Sequence, residues 1–288
     1  MSGATTSDRV AELLAHPRYE VLPFGSVEEA VLEHVPVDVT LTVTVSPRKG
    51  VEHTLDFTER LTKRGYSVVP HLSARLVRDR VHLAEIVQRV DGIGVHDVFV
   101  VAGDADEPAG EYAGAAPLLE AIADLGHRFE NVGITGYPES HPIIPDETTI
   151  QAMFDKARFA TYIVSQICFD PGVTASWVER VWNRGTRLPI HVGIPGAVPR
   201  TKLMRVSTSI GLGASARFLR RHKSWFGHAL RPGGFSPDPL IAGLEPSLAD
   251  PEHKIAGFHI FTFNDLADTE SWRQTRLAGH ALGSGHLR

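Results

Sequence analysis

The chain has 288 residues, 42% of them hydrophobic and 22% charged, with a formal net charge of -5. That composition is ordinary for a globular protein and long enough for a sizeable core. It argues against nucleic acid as a partner, since no basic footprint dominates, and the single cysteine, Cys168, excludes an intramolecular disulfide. Short apolar, β-branched runs alternate with longer amphipathic segments. In chain order the runs predict strands over Tyr19–Phe24, Val39–Val45, Ser67–Pro70, Asp97–Ala102, Val132–Tyr137, Tyr162–Phe169, Leu188–Val192 and Ala256–Phe263. Helices are predicted over Glu52–Arg64, Val81–Val90, Leu118–Leu125, Thr148–Phe159 and Thr174–Asn183, with a last one over Asp265–Leu282. The clearest is Val81–Val90, which places Leu83, Ile86, Val87 and Val90 on one stripe. Thr174 is the expected cap of its helix, after a turn at Pro171 and Gly172. The segment from Pro199 to about Leu230 reads as mostly helical, and Arg231–Asp250, rich in Pro and Gly, as a surface insertion.

Strands alternating with helices imply parallel strands joined by crossovers. About eight such units predict one α/β domain over residues 1–288, a single eight-stranded (β/α)8 TIM-type barrel, with an open sheet as the alternative. The first 20 residues carry charges and a proline rather than an apolar leader, and no apolar run is long enough to span a membrane. The expectation is a cytoplasmic protein without a membrane partner.

In such barrels chemistry sits at the C-terminal ends of the strands. Polar residues gather where the apolar runs stop: Glu20 in the first, Thr44 and Ser46 closing the second, His71 after the third, Gly103 and Asp104 after the fourth. They continue with Tyr137, Glu139 and His141 after the fifth, Gln166 inside the sixth with Asp170 after it, Gly193 and Gly196 after the seventh, and Thr262, Asn264 and Asp265 at the eighth. Each alone has a structural explanation: an edge carboxylate for Glu20, a core histidine for His71, a turn residue for Asp104. Gln166 is the hardest to explain so, because an amide inside an apolar run is costly to bury without partners. Together they predict a small-molecule site over an apolar barrel. Other motifs are weaker. The Gly211–Ala216 stretch fits a dinucleotide fingerprint on paper but lacks the βαβ context, and reads as a tight turn feeding a helix. Arg220–Lys223 reads as a solvated helix face. No His-Glu-x-x-His pair or cysteine cluster supports a metal, and no Gly-x-Ser-x-Gly elbow supports a serine hydrolase.

Several segments, in order, resemble the methylenetetrahydrofolate reductase family. They are the first strand ending at Pro23, Leu41–Thr44, Pro70-His-Leu72, Gly103-Asp104, Tyr137-Pro-Glu-Ser-His-Pro142, Ser165-Gln-Ile-Cys-Phe-Asp170, Pro189–Gly193 and Gly257-Phe-His-Ile-Phe-Thr-Phe-Asn264. The resemblance runs from about Tyr19 to Asn264 and implies the same barrel. It further implies reduction of methylenetetrahydrofolate to methyltetrahydrofolate, with NADH or NADPH as the source of hydride and FAD as carrier. Glu20 would be the general acid, Asp104 would hold the pterin and tune its charge, and Gln166 would hydrogen-bond it. Thr44, His71, Tyr137 and His141 match positions near the flavin. The departures fall together: Ala102 stands for the family's arginine, Asp265 for another. In the family's basic, glycine-containing segment this chain reads Ile150–Phe159, with Lys156 and Arg158 out of register and Phe159 for a glycine. The expectation is weak FAD binding or none, with the nicotinamide reducing the folate directly. Folate-dependent one-carbon transfer, or folate binding without reductase activity, are the alternatives.

Overall fold

A computed structural model describes residues 5–139, 146–199, 201–203, 234–250, 252 and 254–284. Eight parallel strands close into a barrel in sequence order: β1 Arg18–Val21, β2 Thr40–Val43, β3 Val68–Ser73, β4 Asp97–Val101, β5 Asn131–Gly136, β6 Tyr162–Ser165, β7 Ile190–Pro195 and β8 Ile255–Phe261. The chain therefore has the expected (β/α)8 architecture. The ring closes where β1 pairs with β8, with Glu20 beside Phe261 on one side and beside Thr42 on the other.

The helices are α1 Thr6–Ala15, α2 Val27–His34, α3 Gly50–Thr62, α4 Arg80–Ile93, α5 Ala115–Asp124, α6 Asp146–Ala157, α7 Pro171–Asn183, α8 Asp238–Leu248 and α9 Leu266–Ser284. In α4 the predicted stripe is the buried face, through Leu83, Ile86 and Val90. Asp79 caps it by accepting from the His82 amide at 2.8 Å, and Gly94 ends it at φ 81°, a conformation glycine adopts without a Cβ penalty. The cap of α7 is Asp170 rather than Thr174: its Oδ1 accepts from the Gly172 and Val173 amides at 2.9 and 3.2 Å. Pro171 thus occupies the first helical turn, where its missing N–H costs nothing.

The stretch predicted as a surface insertion contains α8, whose Leu240, Ile241, Leu244 and Leu248 are buried. It packs on α7. The approach is so close that a Cβ on Gly243 would lie 2.4 Å from the Pro171 ring. Of the prolines in the Pro- and Gly-rich stretch, Pro237 and Pro239 sit at the start of the helix, where they are tolerated, while Pro246 lies inside its last turns. Helices α1 and α2 also went unpredicted. The first is built on a capping box in which Thr5 and Asp8 bond each other's backbone amides. The Gly211–Ala216 turn, the Arg220–Lys223 run and most of the Pro199–Leu230 helical stretch lie outside the described residues.

A polar network ties the floor of the barrel. Arg18 on β1 pairs with Asp97 on β4 at 3.0 Å and donates to the Tyr162 hydroxyl on β6 at 3.0 Å. That hydroxyl donates in turn to Asp97 at 2.8 Å, so three strands are bridged. On the outer side of β1, the Tyr19 hydroxyl donates to Glu270 of α9 at 2.8 Å, and Arg273 clamps the same carboxylate. Glu20 is thereby fixed between an outward tie on one neighbour and an inward tie two residues back. Because Arg18 and Asp97 are both largely withdrawn from water, replacing Asp97 by Ala strands a buried cation. We expect a loss of about 3 kcal/mol, read as a lower urea midpoint at unchanged slope. Asp97→Asn, which keeps an acceptor for both partners, should lose less. A midpoint for Asp97→Ala equal to the parent's would show that the network contributes nothing to stability.

Candidate active site

The upper half of the barrel interior is organised around Glu20. Its Oε2 lies 3.3 Å from Nε2 of His259 on β8 and 4.0 Å from Nε2 of His71 on β3. His71 packs against Phe99 with ring centroids 4.8 Å apart, and His259 edges onto Phe261 at 4.9 Å. Only 16% of the Glu20 side chain is exposed, against 7% for His71 and 1% for His259. Burial raises the Glu20 carboxyl above its ordinary range, opposed by the nearby His71 imidazole. Burial also pushes His71 down to about 4 and His259 to about 3. Arg18 on the floor depresses His259 further by its positive charge. The outcome is a carboxyl that holds its proton more tightly than an exposed glutamate, set between two neutral imidazoles. Nδ1 of His259 and Nε2 of His71 make no hydrogen bond among the described residues.

The backbone around this acid is held by β8 and the turn after it. Thr262 donates its hydroxyl to the Glu20 carbonyl at 2.6 Å. Asn264 grips Leu22 twice, its Oδ1 accepting from the amide and its Nδ2 donating to the carbonyl, both at 2.9 Å. To do so, Phe263 and Asn264 adopt positive φ of 48° and 63°, a strained conformation that marks functional regions.

The other predicted residues ring this centre at different depths. His71 lies inside β3 rather than after it, since the strand runs on through Pro70 to Ser73. Gln166 lies just after β6 rather than within it: its amide donates to the Gly136 carbonyl at 2.7 Å, and its side-chain oxygen accepts from Ile167 at 2.8 Å. The side-chain NH2 of Gln166 is left unused by the described residues. Thr44 follows β2 and Tyr137 follows β5, both half-buried. Asp104 is exposed on the loop leaving β4, behind Gly103 at φ 93°. No contact among the described residues joins Asp104 to Glu20, and His141 lies outside those residues. Asp265 pairs with Lys202 at 2.6 Å. Cys168 is buried with its thiol pushed up to about 12, which removes it as a nucleophile. Among the described residues, no group of three or more His, Cys, Asp or Glu could hold a metal ion, and no helix is long and apolar enough to cross a membrane.

Three residues of the interior were not singled out from sequence. His259 stands within the Gly257–Asn264 run, among aromatic and aliphatic neighbours. Arg18 and His191 stand at the starts of predicted or observed strands, where polar residues are common. Only the closed ring shows that His191 meets Tyr162 edge-on at 5.4 Å and that a Cβ on Gly257 would strike it.

Among the described residues around α6, one cation is buried and the other is exposed. Lys156 is buried with its amine 3.5 Å from the Thr135 hydroxyl, and burial lowers its pKa to about 8. Arg158 lies 3.7 Å from Glu120 and stacks over the Phe159 ring. Asp155 accepts from Gln151 at 2.8 Å.

Buried neutral histidines carry a pH signature. His71, His191 and His259 titrate at about 4, 3 and 3 in the folded chain, against about 6.5 in the unfolded one. Below pH 6.5 the unfolded chain therefore binds protons that the folded chain refuses. Their contribution is complete above pH 6.5 and declines as pH falls toward 4 and 3. The thermal midpoint should already drop between pH 6.5 and 5, where exposed carboxylates remain ionised, and His191→Gln should flatten that drop. An unchanged midpoint across this interval would contradict the assignment.

A family model for methylenetetrahydrofolate reductase matches residues 29–211. His71, Asp104, Tyr137 and Gln166 fall within that span, while Glu20 and His259 flank it. Among solved structures, the chain is 12% identical to a protein described as a "putative phosphonomutase" from Burkholderia cenocepacia J2315, with a TM-score of 0.43 over 79% of this chain and 98% of the other. It is 15% identical to the sialic acid aldolase of Ruminococcus gnavus, with a TM-score of 0.43 over 67% of this chain and 64% of that one.

Proposed function

The chain belongs to the methylenetetrahydrofolate reductase family, and on that premise we propose that it reduces 5,10-methylenetetrahydrofolate to 5-methyltetrahydrofolate with a reduced nicotinamide, NADH or NADPH, by direct hydride transfer. The observation that carries this reading is Glu20, a desolvated carboxylic acid at the barrel's interior face between neutral His71 and His259. Opening the five-membered ring of the substrate needs such a group. A proton passes from Glu20 to the ring nitrogen that leaves, and the methylene carbon stays on the other nitrogen as an iminium. That carbon then accepts hydride from the dihydronicotinamide and becomes the methyl group. One solvent proton restores Glu20, so one nicotinamide is oxidised for each methyl formed. Asp104 and the free NH2 of Gln166 are the proposed contacts to the pterin. Thr44, His71, Tyr137 and His141 are the proposed lining of the cofactor side.

FAD is the family's usual carrier, and the described residues around α6 do not fit its pyrophosphate. A phosphate cradle needs exposed donors and cations. Here Lys156 is buried and Asp155 adds a negative charge, which leaves Arg158, beside Glu120 and over the Phe159 ring, as the one exposed cation of the described helix end. This supports a reaction without flavin.

The test is oxidation of NADH and NADPH by the purified chain on addition of methylenetetrahydrofolate, with and without FAD. Turnover from a colourless preparation without FAD is expected, falling as pH rises through the elevated pKa of Glu20. Glu20→Gln should lower kcat by roughly 10²–10⁴-fold, the usual worth of a general acid, while 5-methyltetrahydrofolate still binds. Turnover that appears only with FAD would restore the flavin route. No turnover under either condition would transfer the reading to one-carbon transfer or to folate binding alone.

A further inference from the structure

We infer that Arg75 is a positioning residue for substrate binding, acting by clamping the long loop between β4 and α5 that presents Asp104. Arg75 lies in the short 3-10 turn, Ala74–Leu76, that follows β3. Its guanidinium donates to three carbonyls of the loop: Nε to Ala105 at 2.6 Å, Nη2 to Asp106 at 2.6 Å and Nη1 to Ala113 at 3.2 Å. A planar fork of fixed geometry can hold three separated carbonyls at once, which an ammonium on a flexible stem cannot. The main chain of the same residue adds two bonds, its amide to the Ala102 carbonyl at 3.0 Å and its carbonyl from the Ala109 amide at 2.9 Å. Arg75 has no carboxylate partner among the described residues, and its three side-chain hydrogen bonds there all go to this loop.

Two glycines make the docking possible. A Cβ on Gly103 would lie 1.9 Å from the Ser73 hydroxyl, and one on Gly110 would lie 1.6 Å from the Arg78 carbonyl. Residues 102–114 contain no helix or strand, so their conformation depends on such ties. Asp104 itself is exposed and bonds to none of the described residues. Its place over the barrel is therefore set by the loop, and the loop by Arg75. The inference rests on the proposed contact between Asp104 and the folate.

The experiment uses the full chain as parent, Arg75→Met, Asp104→Asn and the double variant. Amide hydrogen exchange is measured over residues 103–113, and 5-methyltetrahydrofolate is titrated by tryptophan fluorescence. Arg75→Met should speed exchange in that segment alone and weaken 5-methyltetrahydrofolate by about tenfold, the scale of one net charged hydrogen bond. It should raise the KM for the folate more than it lowers kcat, and it should add nothing once Asp104 is Asn. Should Arg75→Met fail to fold, Arg75→Lys keeps the charge but not the fork and should show the same pattern in milder form. Unchanged exchange, or a double variant whose loss is the product of the two single losses, would overturn the inference. A parent chain that binds no folate would sink the folate reading alone; the clamp would still stand or fall on the exchange of residues 103–113.

Discussion

The partial desolvation of Glu20 governs the chemistry available to this barrel. A carboxylate is most stable where water or cations surround it, and no cation among the described residues lies within bonding distance of Glu20. Its nearest polar neighbours are imidazoles that burial keeps neutral, with Arg18 below reinforcing the effect on His259. The same cation that would stabilise the Glu20 anion if it were adjacent is instead engaged by Asp97 and Tyr162. The floor and the mouth of the barrel thus divide the labour. One end satisfies a charge pair, and the other strengthens a carboxyl's hold on its proton.

The rest of the site follows from what must surround such an acid. Its strand is fixed on the outer face by Tyr19 and Glu270, and its carbonyl by Thr262, so the carboxyl has little freedom to swing toward solvent. The residues proposed to contact substrate lie on loops above it, and loops need external ties to hold a geometry. Asn264 supplies one through Leu22 and Arg75 supplies another through the β4–α5 loop.

The barrel was readable in the sequence because each strand is a compact apolar run and each crossover carries a helical stripe. Strand ends were less readable. Pro70 looked like a terminator for β3, yet a proline costs a strand only one amide, and the pairing continues to Ser73. The α8 segment was hidden by its prolines, two of which sit at the helix start, a permissive place that only the helix itself reveals. Of the site, Glu20, His71 and Gln166 stood out as polar groups in apolar surroundings. Arg18, Asp97 and Tyr162 did not, because their bonds join residues 65 and 144 positions apart and no local pattern encodes a partner at that distance. His259 sat in a run of aromatic and aliphatic neighbours that resembled core filling, and its role depends on the one strand that the ring brings beside β1.

That last pairing has a consequence for how the protein comes into being. Glu20 and the imidazole it meets are separated by 239 positions, and its carbonyl is tied to a hydroxyl 242 positions away. During synthesis Glu20 emerges well before β8 is complete, because the strand it meets lies 239 positions further on. Until the last staves of the barrel meet, the carboxyl is hydrated and has the acidity of any exposed glutamate. Acid strength here is a property of closure, acquired in the same late step that pays the largest loop entropy of the fold.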